Sequence, residues 1–264
     1  MNHPYYQDDR VALYHGEALA VLAEMDTACV DAVITDPPYS SGGQVRGDRM
    51  GSARSKYVSS DAQHTLETFG GDNRDQRSYQ YWCALWLAEC LRLTKPGGIL
   101  AMFTDWRQLP ATTDAVQAGG WVWRGIIPWV KPDARPQKGR FSASAEYVVW
   151  ATNGPREINY RSDDPTPAGY YLCNAPRDRE HITQKPLEVM CHLVTVVPAG
   201  GLILDPFMGA GTTGVAAVMR GNRFVGAEQH VHNVEISKQR ILTAAGDLVV
   251  SAGNQAVLDF GEGA

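Results

Sequence analysis

Apolar positions along the chain follow two alternating rhythms. Short, mainly apolar runs at residues 11–14, 30–35, 99–104, 121–130, 144–151, 202–204 and 223–227 predict strands. Between them lie stretches whose apolar residues recur every three or four positions, predicting helices over 17–25, 76–93, 107–118, 186–197, 211–220 and 229–244. In the first of these, Ala18, Leu19, Val21, Leu22 and Met25 share one face. The punctuation agrees with this division. Lys95-Pro96-Gly97-Gly98 and Gly119-Gly120 close two helices, while Asp36-Pro37-Pro38 and Asp205-Pro206 end two strands that prolines cannot continue.

Repeated strand–helix alternation with apolar strands is the pattern of an α/β protein built on a doubly wound, mostly parallel sheet covered on both faces. No linker and no internal repeat divides the 264 residues, so residues 1–264 are expected to form a single domain. Two stretches, about 40–75 and 153–180, lack periodicity and are expected to be loop insertions. The tail from residue 246 has no clear assignment. In such sheets ligands sit beyond the carboxyl ends of the strands, where both Asp-Pro breaks fall.

Composition narrows the class. With 44% apolar and 20% charged residues the chain reads as soluble and globular. No apolar run approaches the length of a membrane span, and residues 1–10 lack the apolar centre of a signal peptide, so a cytoplasmic location is expected. Cys29, Cys83, Cys90, Cys173 and Cys191 are scattered and odd in number, which argues against a disulfide framework and against a metal site. The net charge of −5 is unevenly spread. Residues 44–56 hold Arg46, Arg49, Arg54 and Lys56 against Asp48, and residues 124–140 hold Arg124, Lys131, Arg135, Lys138 and Arg140 against Asp133. These segments carry +3 and +4, leaving −12 on the rest. Two basic loops on an acidic body suit local phosphate contact, although taken alone they read equally well as solvated surface.

The segment Asp205-Pro206-Phe207-Met208-Gly209-Ala210-Gly211-Thr212-Thr213 follows a strand and opens a helix. Glycines there let backbone approach a ligand, and the helix start offers free amide hydrogens. Glu228 lies seventeen residues past Gly211 at the end of the next strand, placed to accept hydrogen bonds from ribose hydroxyls. The dinucleotide glycine pattern is not met and no lysine follows the glycines, which disfavours a phosphate-binding loop. A nucleoside ligand without phosphates, such as S-adenosylmethionine, fits what remains.

Asp36-Pro37-Pro38-Tyr39 is the most informative tetrapeptide. Here the chain resembles the DNA amino-methyltransferases, whose signature is (D/N/S)PP(Y/F/W). With the glycine segment downstream of this motif, it resembles the permuted β-class of that family. Leu13-Tyr14-His15-Gly16-Glu17, Lys95-Pro96-Gly97-Gly98, Trp129-Val130-Lys131-Pro132, Glu146-Tyr147 and His181-Ile182-Thr183-Gln184-Lys185-Pro186 extend the resemblance over roughly residues 11–244. Where the family usually has Asp after the first glycine, this chain has Glu17.

The resemblance implies a Rossmann-like methyltransferase fold in circularly permuted motif order, S-adenosylmethionine as cofactor and DNA as partner. It implies catalytic roles for Asp36, Pro37, Pro38 and Tyr39. Cofactor contacts would come from Glu17, Asp36, His181, Thr183, Lys185, Asp205, Pro206, Phe207, Gly209, Gly211, Thr212, Thr213 and Glu228. DNA contacts are expected from Arg46, Arg49, Arg54, Lys56, Lys131, Arg135, Lys138 and Arg140. A homodimer and a companion restriction endonuclease complete the expected partners, with no membrane.

The chemistry needs these residue types. The lone pair of an exocyclic base amine is delocalised into the ring, so the amine is a poor nucleophile. An aspartate oxygen and a proline-fixed backbone carbonyl can accept its two hydrogens and free the lone pair for in-line attack on a sulfonium methyl. Tyr39 offers a stacking face, and the base must leave the duplex to reach it. Cytosine C5 methylation would need a nucleophilic Cys, and no Pro-Cys occurs. Asp36 favours adenine N6 over cytosine N4, whose enzymes more often carry Ser at that place. An RNA or protein-amide methyltransferase and a catalytically silent DNA-binding subunit are the weaker alternatives. The tryptophans are read as core.

Overall fold

A computed structural model describes residues 3–40, 74–134, 136, 138–139, 141–156, 166–175 and 185–258, with side chains as far as residue 246. Arg46, Arg49, Arg54, Lys56, Arg135, Arg140, His181 and Thr183 lie outside the described residues.

The strands are β1 (Tyr6–Gln7), β2 (Val11–His15), β3 (Val30–Thr35), β4 (Thr94–Thr104), β5 (Val122–Val130), β6 (Ala145–Thr152), β7 (Tyr171–Leu172), β8 (Leu202–Asp205) and β9 (Arg223–Glu228). The helices are α1 (Ala18–Ala23), α2 (Gln76–Leu93), α3 (Leu109–Ala118), α4 (Leu187–Val194), α5 (Thr212–Met219) and α6 (Val231–Leu258). All described strands join one sheet in the order β1-β2-β9-β8-β3-β4-β6-β5-β7. Pairing is parallel from β2 through β9, β8 and β3 to β4, and again between β5 and β7. It is antiparallel at β1–β2, β4–β6 and β6–β5.

The continuous apolar runs are explained by burial on both sides. Along β4, Ile99, Ala101 and Phe103 belong to one buried cluster and Leu100 and Met102 to the other, the period of two that a pleated strand imposes. On the first face α4, α5 and α6 supply Val189, Val215 and Ile241. On the second, α1, α2 and α3 supply Leu22, Trp86 and Val116.

Three details depart from the expectations. Lys95 to Gly98 does not form a turn outside the sheet. It lies within β4, where the register with β3 shifts between Val30 and Ala32, and Gly97 at φ +75° donates its amide to the Asn153 carbonyl at 2.8 Å. Asp31 ties this irregularity down, accepting from Lys95 Nζ at 2.7 Å and from the Leu202 amide at 2.8 Å. The irregular stretch 153–180 contributes the short strand β7. The last helix runs on to Leu258, because Gly246 weakens a helix without terminating it.

Candidate active site

The parallel strands β3, β8, β9 and β2 end side by side, with Val33 opposite Leu204, Asp205 opposite Gly226 and His15 opposite Glu228.

At the end of β3, Asp36 is 17% exposed at its side chain and both carboxylate oxygens are engaged. Oδ1 accepts the Tyr39 hydroxyl at 2.6 Å, and Oδ2 accepts Lys185 Nζ, also at 2.6 Å. Lys185, 7% exposed, stands before α4 and reaches Glu146 Oε2 at 3.4 Å. Glu146, on β6, takes Lys131 Nζ on its other oxygen at 2.5 Å, and its Oε2 lies 3.4 Å from the Tyr39 hydroxyl. Two acids and two lysines therefore close a charge-balanced cluster around one phenol. The chain leaves it through Ser40, buried and held at φ +54°, a backbone region unfavourable to side-chain-bearing residues. The Ser40 carbonyl accepts Gln108 Nε2 at 3.1 Å, which pins the loop to the turn before α3.

The electrostatics follow from this packing. Burial pushes Glu146 upward, but Lys185 and Lys131 prevail and hold it below the usual carboxylate range. Asp36 shares a single lysine, and there burial wins and raises it. Burial works to lower Lys185, yet Asp36 and Glu146 raise it, so it stays cationic. Burial and the adjacent Asp36 hold the Tyr39 phenol well above its ordinary value, so its proton stays on.

On the neighbouring strand Asp205 is 2% exposed, and its hydrogen-bond donors among the described residues are neutral. Its Oδ1 accepts Thr35 Oγ1 at 2.7 Å and the Phe207 amide at 3.0 Å, and its Oδ2 accepts Thr213 Oγ1 at 2.7 Å. Asp205 and Thr213 thus shape the glycine loop from below. Pro206 and Phe207 begin that loop, and the Phe207 ring packs on Trp86 at 5.1 Å and Trp82 at 5.4 Å. Gly209 (φ +50°) and Gly211 (φ +75°) adopt left-handed backbone, and Thr212 starts α5. A Cβ on Gly211 would stand 2.8 Å from that of Ser237, whereas one on Gly209 would meet no atom within 4 Å.

Helix α6 clamps the same loop. Ser237 Oγ donates to the Gly209 carbonyl at 2.6 Å, and an Arg240 guanidinium nitrogen donates to the Ala210 carbonyl. Glu228 accepts the Gly209 amide at 3.1 Å and the His230 amide at 2.9 Å. Glu17 caps α1 by accepting the Ala20 amide at 3.1 Å, and the Gly16 amide beside it donates to the Glu228 carbonyl. The open side of Gly209, the carboxylate of Glu228 and the amides at the start of α5 fit a nucleoside with a charged amino-acid tail.

The structure therefore brings Glu17, Asp36, Tyr39, Lys185, the glycine loop and Glu228 to one edge. Lys185, expected among the cofactor ligands, lies on Asp36. Lys131, expected on DNA, turns inward to Glu146 and over the Trp129 ring at 4.6 Å. Trp86, Trp121 and Trp129 are core as expected, but Trp106 and Trp123 are 57% and 42% exposed. Sequence reasoning missed the roles of Glu146, Gln108, Ser237 and Arg240. An acid in the apolar run of β6 facing a basic strand end was one signal, and polar Asn233, Ser237 and Arg240 at helical spacing were another.

Comparison with known proteins places this edge in context. Residues 30–239 match the family model described as DNA methylase, of N6/N4 methyltransferases. Type II methyltransferase M2.MboI of Moraxella bovis is 25% identical over 255 residues, covering 90% of each chain. Type II methyltransferase M2.DpnII of Streptococcus pneumoniae is 25% identical over 266 residues, covering 91% of this chain and 93% of that one. Among solved structures, the M1.HpyAVI–SAM complex superposes with a TM-score of 0.62 at 22% identity over 88% of this chain and 98% of that one. The cytosine-N4-specific PvuII DNA methyltransferase gives 0.67 at 15% identity over 90% and 88%. The chain belongs to the N6/N4 DNA methylase family.

Proposed function

We propose that this protein transfers a methyl group from S-adenosylmethionine to the exocyclic N6 of adenine in DNA. The observation that carries the reading is Asp36, a half-buried acceptor carboxylate one strand away from an open glycine loop. S-adenosylmethionine supplies an electrophilic methyl on a sulfonium centre. Gly209, Gly211, Thr212 and Glu228 would hold it, with Glu17 nearby and the M1.HpyAVI complex in support. Asp36 accepts one amine hydrogen, and the backbone carbonyl fixed by Pro37 and Pro38 accepts the other, so the nitrogen lone pair points along the line of attack. The proton that the methylated nitrogen sheds goes to Asp36, which burial already inclines toward protonation. Tyr39 stacks on the base, which must be flipped out of the duplex.

Asp rather than Ser at position 36 supports adenine. Incubation with labelled S-adenosylmethionine and unmethylated mixed-sequence DNA, followed by nucleoside analysis, should yield N6-methyladenine. N4-methylcytosine would overturn the target, and unlabelled DNA would overturn the activity. The Type II names of the two relatives support a restriction endonuclease as companion. Residues 1–264 are taken as one methyltransferase unit that pairs with a second copy, to be checked by sedimentation.

A further inference from the structure

Both oxygens of Asp36 are already engaged at 2.6 Å, by the Tyr39 hydroxyl and by Lys185. An incoming amine competes with one of them for a short hydrogen bond to the carboxylate. Drawing Lys185 away from Asp36 would pull apart an ammonium and a carboxylate in a site screened from water, the more expensive choice. Removing the neutral hydroxyl is cheaper, provided that its single proton finds another acceptor. Glu146 Oε2 is that acceptor, already 3.4 Å from the hydroxyl oxygen and within about 1 Å of ordinary hydrogen-bond distance.

We propose that Glu146 is a positioning residue for methyl transfer, taking the Tyr39 hydroxyl from Asp36 when the target amine arrives; this rests on the amine-methylation reading above. Three features suit Glu146 to the task. It is held anionic by Lys131 and Lys185, so it always has a lone pair to offer. It is built into β6, opposite Trp129 of β5, while its partner phenol sits on a loop. Its other oxygen is taken by Lys131, which leaves Oε2 to face Tyr39 and Lys185. No proton leaves the phenol in this exchange. One hydrogen bond is made as another is broken.

The test is a suppressor experiment. Single-turnover methyl transfer to unmethylated genomic DNA is measured for the wild type, Glu146→Gln, Tyr39→Phe and the double variant, with S-adenosylmethionine affinity measured by calorimetry. Glu146→Gln weakens the alternate acceptor and draws Lys185 further onto Asp36, so its transfer rate should fall by about thirtyfold while cofactor affinity holds within about threefold. Deleting the hydroxyl in that background removes the competitor. The double variant should therefore be at least about fivefold faster than Glu146→Gln alone, a non-additive rescue that a merely structural role does not produce. A double variant as slow as Glu146→Gln, or slower, overturns the proposal. Should Glu146→Gln fail to fold, Glu146→Asp keeps both lysines paired while withdrawing the acceptor, and the same rescue by Tyr39→Phe is required. Wild-type activity on the same DNA separates failure of this proposal from failure of the reading beneath it.

Discussion

Two neighbouring strands end in the same words and do different work. Both β3 and β8 are short apolar runs closed by Asp-Pro, and their aspartates stand on adjacent ends of one sheet. Asp36 is met by an ammonium, and Asp205 by two threonine hydroxyls and an amide. In the function proposed above, the carboxylate with a cation is the one that accepts the amine hydrogen. The one surrounded by neutral donors braces the glycine loop, and burial pushes it up to about 7 against the opposing pull of Thr213, Thr35 and the Phe207 amide. The nearby charge of Asp36 adds to the upward push. Asp36 takes its cation from Lys185, 149 residues away, whereas Asp205 draws Phe207 and Thr213 from its own motif.

The largest test of this contrast is Asp36→Ala. It should lower methyl transfer by about a thousandfold, as loss of a principal transition-state acceptor does, while calorimetry shows S-adenosylmethionine binding nearly unchanged. Near-normal turnover would erase the distinction. Lys185→Met leaves Asp36 and Glu146 facing each other without their shared cation, and should reduce unfolding stability by about 3 kcal/mol in a denaturant titration. Adding Glu146→Gln to that variant should restore part of the loss.

On the other strand end, Gly211→Ala forces a left-handed alanine against Ser237, and should cost about 2 kcal/mol of stability along with cofactor affinity. Asp205 gives a pH signature. Its folded value of about 7 lies above the ordinary 3.8, so the stability it contributes is full below 3.8 and is lost as pH rises through about 7. Asp205→Asn should flatten melting temperature against pH across that window, and parallel curves for variant and wild type would refute it. The smallest effect separates the two lysines of the second basic loop. Lys138→Glu should flatten the salt dependence of DNA binding by about one unit of slope, whereas Lys131→Met should act mainly through Glu146. Equal slopes for both would reverse that assignment.

The strand and helix pattern was legible because the core obeys simple periodicities. The continuous apolar β4 and the Asp-Pro strand ends read directly. Lys95 to Gly98 did not, because Pro and Gly signal a turn locally while Asp31 and Asn153, far apart in sequence, draw the segment into the sheet. The motif residues Asp36, Tyr39 and Glu228 were visible for their type and position. Glu146 and Lys131 were visible as parts of family-like segments, and Lys131 as an expected DNA contact, but not as a pair. Their pairing depends on the antiparallel β5–β6 register, and Lys185 reaches Asp36 across a separation of 149 residues. Ser237 and Arg240 were hidden by lying on a helix whose other residues serve the core.

Strand order also sets a timetable for synthesis. Val11 of β2 pairs with Phe224 of β9, and β8 and β9 lie between β2 and β3, although β2 and β3 leave the ribosome almost together. At roughly 5–20 residues per second, the intervening ~200 residues take about 10–40 s to make. Throughout that interval β2 has only β1 beside it and β3 only β4, so each keeps one open edge that invites wrong pairing. The last strands then enter the middle of the sheet rather than its rim. A polypeptide cut short before β9 therefore holds a split sheet with no nucleoside cradle, and assembly of the cell's modifying agent is withheld until translation is nearly complete.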